Sequence, residues 1–280
     1  MLADALPLPP PPIQVKQYEG VHRLANGAAL YAWDTSGDGE VVVFIHPHSG
    51  NHRSWSRQQP VFAKAGYRVI GYSRRGYFGS EIGPVNDHGT ESGDLALLLD
   101  SLGIQRVHVV GSAAGGSCAL DFTLAFPERT ISSVVASSLM SIEEDDYKIA
   151  SERARPSWFN ELPVEAREIS ASFRALDPDG VKEFLEIYHL NNFGPKKQRV
   201  VQGRIAQINW KNLASNQVPM LLMTGGADLY LPPALLRHII PRIGSAESVI
   251  VPDVGHPLFW ESPNIFNSTL LEFFARSSGK

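Results

Sequence analysis

The sequence VHVVGSAAGG, residues 107–116, decides the fold. An apolar run typical of a buried strand leads directly into a turn of small residues, and a helical pattern continues to about Ala125. A strand that turns sharply into a helix through the pattern small-x-nucleophile-x-small is a nucleophile elbow. When the pattern is aligned on Gly111 and Gly115, the nucleophile position is Ala113, whose methyl group cannot attack a carbonyl.

A second alignment takes Ser112 as the nucleophile. It places Val110 and Ala114 on the two sides of the turn, where a β-branched residue fits badly two positions before the nucleophile. The sequence therefore favours Ala113 as the elbow residue. The substitution has two explanations: either this chain is an inactivated Ser→Ala variant of an enzyme, or it is a naturally non-catalytic protein that kept the fold.

The chain around the elbow alternates between strand and helix patterns. An Asn26-Gly27 turn between two alternating segments predicts a hairpin, and leucines at helical spacing between Ser92 and Leu102 predict a helix. Continuous apolar runs of the kind found in buried parallel strands occur at 41–45, 67–72, 107–110, 131–136, 220–223 and 248–251. We therefore predict an α/β fold with a mostly parallel central sheet flanked by helices.

The stretch from Leu139 to Ala214 interrupts this alternation with helical segments rich in aromatic and charged residues. An insertion between two strands of one sheet predicts a helical cap over the carboxyl edge, where such sheets bind ligands. The predicted organisation is a Pro-rich N-terminal strap over 1–14, a core over 15–138 and 215–280, and the cap over 139–214. The aromatic residues predicted to line the substrate pocket are Trp158, Phe159, Tyr188 and Tyr230.

Two polar residues follow the last two predicted strands. Asp228 comes after the strand 220–223, and His256 comes after the strand 248–251. Elbow, Asp and His is the chain order of a hydrolytic triad in this kind of fold. A histidine with a pKa near 6.5 suits proton transfer at neutral pH, and a carboxylate orients it. We predict that Ala113, Asp228 and His256 occupy the three triad positions.

An oxyanion hole needs two main-chain N–H donors, one after the nucleophile and one from the loop after an earlier strand. Ala114 supplies the first. In the loop HPHSG, residues 46–50, Pro47 has no N–H, so His48 is the predicted second donor. The spacing of His46, His48 and His52 suggests a metal site, but no acidic or cysteine partner lies near in sequence, and we expect no metal and no cofactor.

Composition limits the class of protein. The formal net charge is −4, which argues against nucleic acid as a partner, and the single cysteine excludes an internal disulfide framework. No apolar run approaches the roughly 20 residues that cross a bilayer, and the N-terminal sequence lacks the features of a signal peptide. We expect a cytoplasmic protein with no membrane association and with a small-molecule substrate; a homo-oligomer is left open.

Taken together, these motifs resemble the α/β-hydrolase superfamily, specifically its esterase and non-haem chloroperoxidase-like branch, over about residues 15–278. The supporting sequences are FIHPHSGNHRSW (44–55), GYRVIGYSRRGYFGS (66–80), VHVVGSAAGG (107–116), MTGGADLYLP (223–232) and VPDVGHPLFW (251–260). The chain departs from the family pattern in three places. These are His46-Pro47 instead of His-Gly, Ser73-Arg74 instead of an Asp ahead of Arg75-Gly76, and Ala113 instead of Ser.

The resemblance implies serine-type hydrolysis of a carboxylic ester or lactone of a small to medium, apolar or aromatic substrate. An alternative is hydrolysis of a carbon–carbon bond in a diketone or ring-cleavage product. A further alternative is a non-catalytic homologue that binds a ligand. Because a buried carboxylate and imidazole cost desolvation without a task, the presence of both Asp228 and His256 favours an inactivated enzyme over a drifting binder.

Overall fold

The structure, a computed structural model, describes residues 10, 12–84, 86–155, 157–191 and 201–278. Most of the predicted Pro-rich strap therefore lies outside the described residues. Where the chain becomes continuous, Gln14 donates a hydrogen bond from Nε2 to the main-chain oxygen of Ser56 at 2.7 Å. Val15 N–H donates to Gln59 Oε1 at 3.0 Å. These contacts hold the segment before the first strand against the start of the first helix.

The described residues form one eight-stranded sheet of order β1-β2-β4-β3-β5-β6-β7-β8. The strands are β1 (Tyr18–Arg23), β2 (Ala29–Asp34), β3 (Val41–Ile45), β4 (Arg68–Tyr72), β5 (Val107–Ser112), β6 (Thr130–Ala136), β7 (Met220–Gly225) and β8 (Ala246–Val251). β1 and β2 form the predicted hairpin, and β2 is antiparallel to β4. All other neighbours pair in parallel. The predicted α/β fold with a mostly parallel sheet is confirmed.

Helices cover the sheet and fill the connections between strands. They are α1 (Gln59–Lys64), α2 (Glu91–Ser101), α3 (Ala114–Ala125), α4 (Asp145–Arg153), α5 (Val164–Glu168), α6 (Ala171–Leu176), α7 (Pro178–Leu190), α8 (Trp210–Ser215), α9 (Pro233–Ile239), α10 (Leu258–Glu261) and α11 (Pro263–Ser277). Short 3-10 helices lie at His52–Trp55, Pro127–Arg129, Phe159–Glu161 and Ile240–Arg242. In the part of the chain that the structure describes, no helix combines the length and apolarity needed to span a bilayer.

Strand β3 shows how the core is divided between the two faces of the sheet. Its side chains alternate in direction, so Phe44 packs in a cluster with Trp55 and Phe62, whereas Ile45 packs in a second cluster with Leu95. The five residues named here, two from β3 and three from the helices that pack on it, are fully buried. Full burial of an apolar side chain of this size contributes about 1.5–3 kcal/mol. The sheet is therefore anchored from both sides, as its uninterrupted apolar strands require.

The segment predicted as a cap, 139–214, contains helices α4 to α8 and contributes no strand of the sheet in its described residues. Its α7 contacts the loop after β3, where Asn51 Nδ2 donates to the main-chain oxygen of Ile187 at 3.0 Å. Helix α7 therefore packs against a loop at the edge of the sheet where the parallel strands end, whereas Leu213 of α8 packs in a cluster with Leu236 and Ile239 of α9. Phe193, another aromatic residue of this segment, lies outside the described residues.

Glycine permits a close approach between α3 and the sheet. A Cβ atom at Gly111 would lie 2.1 Å from the main-chain oxygen of Gly115, and one at Gly115 would lie 2.2 Å from the main-chain oxygen of Ile45. Both distances are far inside van der Waals contact. The first turn of α3 therefore abuts the ends of β3 and β5, and only glycine fits at both positions.

We predict that Gly115→Ala lowers the free energy of unfolding by about 1–3 kcal/mol, because α3 must move away from β3. Urea unfolding measures the loss. Gly20→Ala in β1 is the matched control, because a Cβ atom there meets no atom within 4 Å; its effect should stay within about 0.5 kcal/mol. Equal losses in the two variants would contradict the packing argument.

Candidate active site

Ala113 lies between β5 and α3 with φ of 52° and ψ of −115°. A residue other than glycine rarely adopts a positive φ, and the strain is of order 1–3 kcal/mol. Its N–H donates to the main-chain oxygen of Ala136 at 2.9 Å, which fixes the turn to the end of β6. Ser112, the alternative nucleophile, ends β5 and is buried. The sharp turn of the elbow therefore falls at Ala113.

Asp228 and His256 meet in a buried pair at the ends of β7 and β8. His256 Nδ1 lies 2.9 Å from Asp228 Oδ1 and 3.0 Å from Oδ2. Oδ1 also accepts hydrogen bonds from the N–H groups of Tyr230 at 2.8 Å and Leu231 at 3.0 Å. These contacts hold the carboxylate in place, and the carboxylate holds the ring so that Nε2 is the nitrogen left for a substrate.

Burial opposes charge on both members of this pair, but their mutual attraction outweighs it. Burial raises the pKa of Asp228, yet His256 and its hydrogen bond hold that pKa below the ordinary value of an Asp. Burial lowers the pKa of His256, yet Asp228 brings it above the ordinary value of a histidine. The pair therefore favours the imidazolium that forms when His256 accepts a proton.

The cap segment holds the histidine loop. His256 N–H donates to the main-chain oxygen of Glu168 at 2.7 Å. Glu261 carries the second link, since its carboxylate accepts from Gly255 N–H at 3.0 Å and from Ser170 N–H at 2.8 Å. A Cβ atom at Gly255 would lie 2.5 Å from the Glu168 oxygen, so this contact also requires glycine.

The loop after β3 is fixed by a neutral histidine. His46 Nε2 accepts from the main-chain N–H of Arg74 at 3.0 Å, so its Nδ1 must carry the hydrogen that it donates to Pro47 O at 2.7 Å. Burial lowers the pKa of His46 well below its ordinary value, which agrees with a neutral ring. His46 thus ties the predicted oxyanion loop to the residues after β4.

A cavity of about 310 Å³ lies over Ala113. Its lining residues are Pro47, His48, Ser49, Ala113, Ala114, Ser117, Ser137, Leu139, Glu168, Tyr230 and His256. The cavity therefore brings together Ala113, Ala114, His48, His256 and Tyr230 of the sequence-predicted site, with Asp228 behind the histidine.

The aromatic residues of the cap that were predicted to line the substrate pocket lie outside the wall of this cavity. Trp158 is 54% exposed. Phe159 is buried against the Tyr230 ring, with the two centroids 4.8 Å apart. Neither these two residues nor Tyr188 belongs to the lining of the 310 Å³ cavity. The aromatic residue in the cavity wall is Tyr230, whose pKa is raised to about 12 by burial and by Glu168.

Sequence reasoning missed several lining residues, above all Glu168. Its Oε2 accepts a hydrogen bond from Ser49 Oγ at 2.5 Å, and burial raises the pKa of its carboxyl. Glu168 ends a short helix of the cap, and no motif in the sequence marks it. The signal available was a lone acidic residue in an otherwise mixed segment, which does not distinguish it from Glu165.

The three histidines whose spacing suggests a metal site each contact different residues. His46 contacts Pro47 and Arg74, His48 Nδ1 lies 2.8 Å from Tyr77 Oη, and His52 Nδ1 lies 2.9 Å from Ser73 Oγ. Within the described ranges of the chain, no cluster of three or more His, Cys, Asp or Glu side chains is placed to hold a metal ion.

A second cavity of about 960 Å³ shares His48 and Ala114 with the first. Arg74 and Tyr77 contribute to its wall. Arg74 is tied down by an ion pair with Glu91, with the guanidinium nitrogen and the carboxylate oxygen 2.6 Å apart, and by a hydrogen bond to Tyr77 Oη at 3.1 Å. The site at Ala113 therefore adjoins a larger space on the side of the β4 loop.

Known proteins with two kinds of named activity are similar to this chain over most of its length. A protein of Mycobacterium tuberculosis named "Putative non-heme bromoperoxidase BpoC" is 27% identical over 267 residues, covering 87% of this chain and 97% of that protein. The 2-hydroxy-6-oxononadienedioate/2-hydroxy-6-oxononatrienedioate hydrolase of Comamonas testosteroni is 27% identical over 275 residues, covering 86% and 89%. One of these two relatives is thus named as a bromoperoxidase and the other as a hydrolase.

Among solved structures, the enol-lactonase of Burkholderia xenovorans superposes with a TM-score of 0.71 at 19% identity, covering 91% of this chain and all of that one. This likeness supports the fold. The sequence model of the alpha/beta hydrolase family matches residues 42–269, which include the elbow, the oxyanion loop, Asp228 and His256. The chain belongs to the alpha/beta hydrolase family.

Proposed function

We propose that this site is built for serine-type hydrolysis of a small carboxylic ester or lactone, and that Ala113 leaves the present chain able to bind such a substrate without cleaving it. The observation that carries the proposal is the strained elbow at Ala113 beside the buried Asp228–His256 pair. A residue with a positive φ at the end of a strand projects its side chain out of the sheet, and in an elbow of this kind it presents a nucleophile to a neighbouring base. This chain has the strained turn and the base, and only the nucleophilic side chain at residue 113 is missing.

With serine at residue 113, the hydroxyl oxygen attacks the substrate carbonyl carbon while His256 Nε2 takes the hydroxyl proton. The negative oxygen of the tetrahedral intermediate accepts hydrogen bonds from the N–H groups of Ala114 and His48. The imidazolium then gives its proton to the departing alcohol. A water molecule then attacks the acyl carbon while His256 Nε2 takes a proton from it. The bond to residue 113 breaks, the imidazolium returns the proton to the hydroxyl oxygen of that residue, and the acid is released. With alanine at 113 the first bond cannot form.

The cavity limits the substrate. Its volume of about 310 Å³ lies at the lower end of the roughly 300–1,000 Å³ that is typical of small-molecule sites. Pro47, Leu139 and Ala113 offer an apolar wall, and Tyr230 offers one ring face. The proposed acyl group is therefore small, and a larger alcohol part extends towards the 960 Å³ cavity that shares His48 and Ala114.

Hydrolysis of a carbon–carbon bond in a ring-cleavage product is the second candidate. It is favoured by the relatives from Comamonas testosteroni and other bacteria whose names specify that substrate class. The same base and oxyanion donors serve it. The two candidates separate in the Ala113→Ser background: loss of the visible absorbance of a dienol ring-cleavage product reports the carbon–carbon reaction, and release of nitrophenol reports the ester reaction.

Ala113→Ser should raise the rate of nitrophenyl acetate hydrolysis by roughly 10³-fold or more, because a restored nucleophile completes the triad. A fluorophosphonate probe should label residue 113 in this variant and leave the parent chain unlabelled. Labelling at Ser112 would refute the elbow alignment. Absence of both labelling and turnover would favour a ligand-binding protein.

In the Ala113→Ser background, His256→Asn should remove nearly all of the gained activity and Asp228→Asn somewhat less. The losses should not add in the double variant, because the triad acts as a unit. Steady-state kcat and KM on the same ester measure this. Activity that survives His256→Asn within about tenfold would identify another base, with His48 the first to test.

Pro47→Gly in the Ala113→Ser background should lower kcat roughly tenfold while changing KM less. Proline holds φ near −65° and so stiffens the loop that presents the His48 N–H, and an oxyanion donor acts mainly in the transition state. Steady-state kinetics on a nitrophenyl ester test this. An unchanged kcat would remove His48 from the oxyanion hole.

A further inference from the structure

Four ionisable residues line the cavity over Ala113, namely His48, Glu168, Tyr230 and His256, and two of them, His256 after β8 and Glu168 at the end of α5, are tied to each other by a main-chain hydrogen bond. We propose that these two groups form an acid–base pair that moves protons on a small neutral ketone in the chain as it stands. The substrate class is a β,γ-unsaturated ketone, which has a removable hydrogen on the carbon beside the carbonyl and a carbon–carbon double bond next to that carbon. This activity needs no hydroxyl at residue 113 and is separate from the proposed hydrolysis.

Glu168 is held in place from both ends. Its carboxyl receives the Ser49 hydroxyl at 2.5 Å, which ties it to the loop after β3. Its main-chain oxygen receives the His256 N–H at 2.7 Å, which ties it to the loop after β8. The residue is 7% exposed and belongs to the lining of the cavity. The carboxyl and the imidazole therefore have a fixed relation across the substrate space.

Because residue 113 has no hydroxyl, the first proton that His256 can take must come from the substrate. Asp228 holds His256 Nδ1, so Nε2 serves the cavity. In a triad this nitrogen takes the serine proton, whereas over the Ala113 methyl group it meets the substrate itself. Ala114 begins α3, so its N–H has no acceptor within the helix, and together with the positive end of the helix it stabilises a negative oxygen.

The charges around the pair favour an uncharged substrate. Asp228 and Glu261 lie behind His256, Arg167 and Tyr230 lie beside Glu168, and the Tyr230 ring tilts against the imidazole with centroids 4.3 Å apart. The residues that line the 310 Å³ cavity include no lysine or arginine. A carboxylate substrate would therefore meet Glu168 without a cation in the wall.

The proposed step balances without a co-reactant. His256 Nε2 takes a proton from the carbon beside the carbonyl, and the carbon–hydrogen electron pair becomes a carbon–carbon double bond as the carbonyl π pair moves to oxygen. The Ala114 N–H stabilises this enolate. Glu168 then gives its proton to the carbon at the far end of the conjugated system, and the imidazolium returns a proton to the carboxylate through water.

The pair carries one transferable proton in its active form, and the step requires that proton on Glu168 with His256 Nε2 unprotonated. When both groups are protonated no base remains, and when both are deprotonated no acid remains. The rate should therefore be bell-shaped in pH. In Glu168→Gln the acidic limb stays, because His256 still becomes protonated there, and the alkaline limb disappears.

The test uses the chain with Ala113 and cyclohex-3-enone as the probe, with its conversion to the conjugated cyclohex-2-enone followed by absorbance. We expect turnover above buffer, its loss in His256→Asn, and a reduction of roughly 10²-fold in Glu168→Gln with the altered pH profile. Glu165→Gln, on the same helix but outside the cavity wall, is the matched control and should match the parent. Thermal unfolding confirms that each variant is folded.

A second readout is independent of turnover. In a proton NMR titration, Glu168→Gln should lower the pKa of His256, because the Glu168 charge helps to raise it, whereas Glu165→Gln should leave it in place. Buffer-level conversion of the probe, or conversion with both pH limbs intact in Glu168→Gln, would overturn the proposal. The esterase activity of the Ala113→Ser variant tests only the proposed hydrolysis. Each of the two proposals can therefore be refuted without the other.

Discussion

The close approach of α3 to the ends of β3 and β5 is the constraint on which the site depends. Gly115 has no side chain, so the first turn of α3 lies against the main-chain oxygen of Ile45. The chain must then reverse within one residue, and that residue, Ala113, takes a positive φ. The same contact puts the N–H of Ala114 beside the loop that begins at His46. Residue 113, the predicted oxyanion donors and the cavity over Ala113 are thus placed by one packing contact.

This geometry has an energetic cost that the rest of the fold must offset. The strained turn at Ala113 opposes folding by about 1–3 kcal/mol, and burial of Asp228 and His256 carries a desolvation cost that their mutual attraction offsets only while their geometry is held. The large apolar clusters on both faces of the sheet supply the stabilisation that holds them in place. Both proposed activities use these two features. They differ in the proton that His256 takes first, which is the hydroxyl proton of a residue at 113 or the proton of a bound ketone.

Much of the fold follows from local sequence. The apolar runs identify the six parallel-sheet strands β3 to β8, and Asn26-Gly27 identifies the hairpin, because strand burial and turn geometry act over short stretches. The elbow and the positions of Asp228 and His256 follow from the same strand ends. The place of Glu168 in the site could not be predicted from the sequence. Its contacts with Ser49 and His256 span 119 and 88 positions of sequence, and they exist only after the cap has packed. Trp158 shows the converse, since aromatic composition alone did not tell an exposed ring from a pocket wall.

The contacts of Glu168 also limit how independently the cap and the catalytic loops can change. In many enzymes the residues that choose a substrate lie on loops apart from the rigid groups that react with it. Here a single cap residue holds the oxyanion loop with its side chain and the histidine loop with its main chain, and Glu261 adds a second link between the same parts. A change in the cap that moves residue 168 therefore moves the base and the cavity wall together. In both proposed activities, substrate choice and proton transfer are therefore coupled through the packing of α5, and a cap of different length could replace it only if it returned a main-chain oxygen to His256.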